Sequence, residues 1–122
     1  MRERSLQLEI LLELEEAIRR IEQRFQTVAV PLDLTKDDRG LERLDSICMM
    51  LLTISENIRR LEKVAGADIF CDYPELNWSE VKGIRNILAH DYFSIDPEEI
   101  FATCRDELPT LKQVLQHIRF SL

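Results

Sequence analysis

Arg85-Asn86-Ile87-Leu88-Ala89-His90-Asp91-Tyr92 puts a guanidinium, an amide, an imidazole and a phenol into about two helical turns. His90 is one of only two histidines in the 122-residue chain. An arginine that is always charged, beside a side chain that titrates near neutral pH, is a kit for phosphate-ester chemistry. Arg85 would hold a phosphate oxygen and offset charge that develops in a transition state. His90 would move a proton, from a ribose 2′-hydroxyl or to a leaving oxygen. Asn86 can orient His90 or the phosphate. Tyr92 supplies a hydroxyl that can donate a hydrogen bond or accept a modifying group. This scheme needs no metal and no cofactor.

Helix geometry complicates the scheme. Residues five apart are rotated by about 140°, so Arg85 and His90 do not share a face, whereas Asn86 and His90 do. The arginine side chain can curl toward the helix end, or a second copy of the chain can complete the site across a two-fold axis. A structural reading stands beside these: Arg85 in a salt bridge and His90 at a helix end. Tyr92 continues the stripe of Val81, Ile84 and Leu88 to within about 20°, which would make it core. His117 reads as a last-turn cation favoured by the helix dipole.

The elements that position these groups are legible as stripes. Leu11, Leu14, Ile18, Ile21 and Phe25 mark a first helix over about residues 4–29, stopped by Pro31. Residues 31–39 read as a loop. Leu44, Ile47, Leu51, Ile54, Ile58 and Leu61 mark a second helix over 40–65, widened by Cys48 and Leu52 and ended at Gly66. A connection at 67–77 leads to Asn77, which caps a third helix over 78–91, with Glu80 completing a capping-box variant. Asp96-Pro97-Glu98-Glu99 opens a fourth, with Ile95 and Ile100 placed as a hydrophobic staple. Its stripe is Phe101, Cys104, Leu108, Leu111, Leu115 and Ile118, and Pro109 should kink or split it. The expectation is all-α: one domain over 1–122, an antiparallel bundle of four main helices kinked near Pro109.

Composition narrows the function classes. The net charge of −7 argues against a general nucleic-acid coat but leaves room for a local basic site. Arg19-Arg20 and Arg59-Arg60, with Lys63, read as solvated faces unless they flank the Arg85 cleft, where they would meet RNA backbone. Cys48, Cys71 and Cys104 form no C-x-x-C pair and read as reduced thiols. No apolar run reaches the roughly 20 residues of a membrane span, and the charged N-terminus is no signal region. A cytoplasmic location is expected. No Gly-rich phosphate loop, H-E-x-x-H or serine elbow is present.

The stretch Trp78 to Asp96 closely resembles the HepT-like proteins of the HEPN superfamily, whose signature is R-x-x-x-x-H-x-Y with a polar residue after the arginine. Arg85, Asn86, His90 and Tyr92 fill it. Tyr73-Pro74-Glu75 before it, Ile54-Ser55-Glu56 in the second helix and Glu107-Leu108-Pro109-Thr110-Leu111 in the last are similar to family patterns. The resemblance implies a HEPN-like bundle that forms a two-fold homodimer, with both motifs in one RNA cleft. It implies a metal-independent endoribonuclease toxin of a prokaryotic toxin–antitoxin pair. Its antitoxin would be an MntA-like nucleotidyltransferase that transfers AMP to Tyr92, whose hydroxyl should then face solvent. Arg85 and His90 would be catalytic and Asn86 auxiliary. Ser55 stands where glycine is common, and Met49 and Met50 stand where many relatives carry an arginine. The alternative is a non-catalytic helical module that dimerises and presents Tyr92 to a nucleotidyltransferase.

Overall fold

The computed structural model describes residues 2–122, among which there is no strand. Helix α1 spans Arg2–Phe25, α2 Asp38–Ala65, α3 Trp78–His90, α4 Pro97–Ala102 and α5 Leu108–Phe120. Short 3-10 turns lie at Pro31–Leu34 and Tyr92–Ser94, and a π turn at Thr103–Glu107 joins α4 to α5.

Cross-helix pairs fix the directions. Arg24 near the end of α1 donates to Ser46 near the start of α2, while Glu13 meets Asn57 and Arg60 further along. Lys82 pairs with Glu62 and Arg85 with Glu56. Lys112 pairs with Glu22 and Arg119 with Glu15. In each set one residue number rises as the other falls, so α1–α2, α2–α3 and α1–α5 are all antiparallel.

The expected stripes become the core. Leu11, Leu14, Ile18 and Ile21 of α1 pack with Ile47, Leu51, Ile54, Ile58 and Leu61 of α2 and with Leu111, Leu115 and Ile118 of α5. Burying each such side chain is worth about 1.5–3 kcal/mol before chain entropy is counted. Phe25 and Leu52 pack at the margin.

The boundaries differ from expectation in three places. The first helix ends at Phe25 rather than near residue 29, and the expected loop at 31–39 holds a 3-10 turn. The Asp33 carboxylate anchors that turn by accepting from the backbone N–H of Ala29 and Val30. Helix α2 starts earlier, because Asp37 caps it by accepting from the Gly40 N–H at 2.8 Å. Gly40 is required there: a Cβ would lie 2.2 Å from the Asp33 carbonyl oxygen. At the other end Gly66 adopts φ +107° and donates to the Glu62 carbonyl, a stop only glycine makes without strain.

Pro109 sits in the first turn of α5. A proline has no N–H and its ring crowds the carbonyl four residues back. The preceding five residues widen into the π turn, so the last helix is split just upstream of the proline.

Candidate active site

Helix α3 carries the motif, and its placement is set from both ends. Asn77 caps it, accepting from the Glu80 N–H at 3.1 Å. Trp78 stacks on Phe70 with ring centroids 3.9 Å apart and donates its indole N–H to the Tyr73 carbonyl. In the middle of α3, buried Ser55 of α2 donates to the Lys82 carbonyl at 2.8 Å and accepts from the Arg85 N–H at 3.3 Å. The serine that stands where glycine is common is thus a fastener between the two helices.

Arg85 is half exposed, and its Nε donates to Glu56 at 3.0 Å. With Asn86 it lines an open cleft of about 420 Å³ between α2 and α3, whose other walls are Glu56, Arg59, Arg60 and Lys63. The cleft therefore gathers four cations and one carboxylate in a chain of net charge −7. Arg59 donates to the Lys82 carbonyl at 3.1 Å, which fixes it against α3.

His90 is the last residue of α3 and is exposed. It does not line the Arg85 cleft. One chain brings Arg85 and Asn86 together but leaves the imidazole outside, about 140° round the helix from Arg85 and about 6 Å further along the axis than Asn86. Three residues either side of His90, Ile87 is 60% exposed and Phe93 99% exposed.

Tyr92 opens the 3-10 turn after α3. Its ring packs against the core margin, as the stripe predicted, and its hydroxyl donates to the Asp45 carboxylate of α2 at 2.5 Å. The resemblance implied a hydroxyl facing solvent; the structure instead ties it to Asp45. The turn that follows α3 folds back onto α2, and an acceptor on α2 captures the phenol. Burial, and then the Asp45 carboxylate accepting its proton, pushes the Tyr92 phenol well above the usual tyrosine range. Burial also pushes the neighbouring Cys48 thiol up to about 11.

His117 occupies the last turn of α5, where its Nδ1 is 2.6 Å from the Tyr73 hydroxyl. It belongs to the packing of the 67–77 connection and lies away from the cleft. Met49 is exposed and Met50 half-buried.

Asp45 and Glu56, the two carboxylates that hold the motif's phenol and guanidinium, carry no local sequence signal. They act 47 and 29 residues away from their partners. Glu56 came into view only as part of the Ile54-Ser55-Glu56 likeness.

A family model described as ribonuclease HepT-like matches residues 14–118, a span that holds the whole motif and both its anchors. The chain belongs to the HepT-like ribonuclease family. Two proteins of Methanocaldococcus jannaschii, whose names assign them provisionally as RNases, are similar to it. One is 29% identical over 73 residues, 60% of this chain and 60% of the relative. The other is 31% identical over 65 residues, 48% of this chain and 60% of the relative. A protein of Thermococcus cleftensis named as a probable ribonuclease HepT is 32% identical over 47 residues, 38% of this chain and 43% of the relative. The matched stretches thus span at most 60% of the length of these relatives. No solved structure matches. As in the rest of the HepT-like assignment, the bundle is all-α, and no helix among its described residues is long and apolar enough to cross a membrane.

Proposed function

We propose that this HepT-like protein is a metal-independent endoribonuclease that acts as the toxin of a toxin–antitoxin pair. The observation that carries the reading is the cleft in which Arg85 and Asn86 stand with three further cations on an acidic protein. A polyanion is the substrate such a field collects.

The reaction is transfer of the phosphodiester to the neighbouring ribose 2′-oxygen. The O2′–P bond forms, the P–O5′ bond breaks, and a cyclic phosphate and a free 5′-hydroxyl result. His90 takes the 2′-hydroxyl proton or gives one to the leaving 5′-oxygen. Arg85 neutralises charge on the non-bridging oxygens, and Asn86 orients them. Because His90 lies outside the cleft of its own chain, the productive pair is formed between two chains of a homodimer. The apolar surface of Ile87 and Phe93 beside His90 suits that contact. RNA should be cut in the presence of EDTA, and Arg85→Ala and His90→Ala should each abolish cutting. Full activity in both variants overturns the assignment.

In this reading an MntA-like nucleotidyltransferase neutralises the toxin by moving AMP from ATP to the Tyr92 oxygen, with pyrophosphate leaving and the phenol proton passing to Asp45. Once Asp45 releases that proton to solvent, the modified tyrosine has none to donate and its phosphate repels the Asp45 carboxylate. The intact mass of protein co-expressed with that enzyme should rise by one or more AMP units, a gain lost in Tyr92→Phe. An unchanged mass would make physical masking by the partner the better account.

One observation favours a second reading, a non-catalytic module that presents Tyr92 to such a partner: Glu56 already holds the Arg85 Nε in the single chain. Harmless expression of the intact chain without the partner would favour it.

A further inference from the structure

The two basic pairs of the chain look alike in sequence, but the fold treats them differently. Arg19 and Arg20 share the Glu16 carboxylate, at 2.8 and 2.9 Å, and spend their charge on it. Those contacts hold the Glu16 carboxyl far down, at about 2. Arg59 and Lys63 have no carboxylate partner among the described residues, and Arg60 has a more distant one. Arg59 donates to a neutral backbone carbonyl, that of Lys82. Arg60 has only Glu13, at a looser 3.5 Å. Lys63 makes no ion pair among the described residues. All three open into the cleft that holds Arg85 and Asn86. Lys82 of α3 does not line the cleft and is neutralised by Glu62 at 3.0 Å.

We propose that Arg59, Arg60 and Lys63 form a backbone-binding track that feeds the phosphodiesters of single-stranded RNA to Arg85. Arg59 and Lys63 are one turn apart on α2, about 6 Å along the axis. That spacing lets the two side chains meet neighbouring phosphates of one strand. The track lies toward the C-terminal end of α2 from Glu56, so it extends the strand away from the reacting phosphate held at Arg85. It reads no base, because its groups are cations and one backbone-fixed guanidinium with no aromatic platform among them. The distribution explains how an acidic protein can hold a polyanion. Glu9, Glu13 and Glu16 line a different groove along α1, although Glu13 reaches Arg60 at 3.5 Å.

This inference rests on the reading that the protein acts on RNA, and the test separates the two. Binding of a labelled short oligouridylate is measured against salt concentration, in a His90→Ala background so that the strand is not cut. Arg60→Ala/Lys63→Ala is the informative pair, because neither side chain donates to the backbone. Each lost phosphate contact should reduce the slope of log K against log[salt] by about 0.7, hence about 1.4 for the pair. Arg60→Lys/Lys63→Arg should restore the slope, which a folding defect would not allow, and the helical far-ultraviolet signal should match throughout. If wild-type protein cuts RNA but the alanine pair keeps the full slope, the track is overturned and the nuclease reading stands. If wild type neither cuts nor binds RNA, both fall. If uridine monophosphate competes as well as the oligomer per phosphate, the cleft is a single-anion pocket and the track is again overturned.

Discussion

The Tyr92 hydroxyl donates a 2.5 Å hydrogen bond to the Asp45 carboxylate and so latches the turn after the motif helix onto α2. The latch makes the phenol a harder acid than an ordinary tyrosine, through burial first and the carboxylate second. The folded chain therefore holds this proton more tightly than the unfolded chain does. Stability from the group is complete below about pH 10 and is lost as pH rises through the folded value. Partial exposure of Tyr92 keeps the effect small. Wild type should exceed Tyr92→Phe in denaturation midpoint near neutral pH, and the gap should narrow above about pH 10. Asp45→Ala should move the phenolate absorbance titration of Tyr92 downward. An unmoved titration would mean that the carboxylate does not hold the phenol.

Glu56 holds Arg85 without contributing much to stability. Both side chains are half exposed, at 55% and 51%, and such pairs are worth under about 1 kcal/mol. Glu56→Gln should leave the denaturation midpoint nearly unchanged. Cleavage should fall by on the order of tenfold or more, because the guanidinium loses its orientation. Retention of full cleavage would show that Arg85 is positioned by something other than Glu56.

Two glycines give opposite predictions. Gly40→Ala forces a methyl against the Asp33 carbonyl, at 2.2 Å before relaxation, and should destabilise by about 1–3 kcal/mol. Gly83 is inside α3 with nothing within 4 Å of an added Cβ. Gly83→Ala should stabilise by about 0.5–1 kcal/mol. Urea denaturation of the two variants checks both signs.

The thiols should separate by access. Cys71 is exposed, whereas Cys48 and Cys104 are buried, with burial pushing them up to about 11 and about 12. A thiol reagent near pH 8 should label one cysteine quickly and the other two only on unfolding. Fast labelling of all three would contradict the burial of Cys48 and Cys104.

Much of this was legible because the information is periodic or local. The α1, α2 and α5 stripes are buried as spaced, and Asn77, Asp96 and Gly66 cap where their types predict. At Asp96 the donor is the Glu98 N–H, one residue earlier than a capping box would use. The start of α2 differs from the stripe because Asp37 caps the helix ahead of its first apolar residue, and the need for glycine at 40 comes from Asp33 in a preceding turn that periodicity does not mark. The π turn was visible only as a disturbance at Pro109, since a proline announces that a helix must yield but not on which side. Asp45 left no trace at all. Its role depends on α2 and the turn after α3 lying side by side, a tertiary fact that neither segment encodes alone. The same holds for Arg59 and Arg60, which sequence cannot tell from Arg19 and Arg20.

In the proposed dimer Arg85 and His90 act on one phosphate from two different chains. RNA cleavage by co-expressed Arg85→Ala and His90→Ala subunits tests it most directly. Each variant alone should be inactive, and the mixed dimer should recover cleavage, because one of its clefts still pairs an intact Arg85 with an intact His90 from the other chain. A mixed dimer as inactive as its parents, beside an active wild type, would contradict the two-chain site, and activity in either variant alone would contradict the catalytic pair itself.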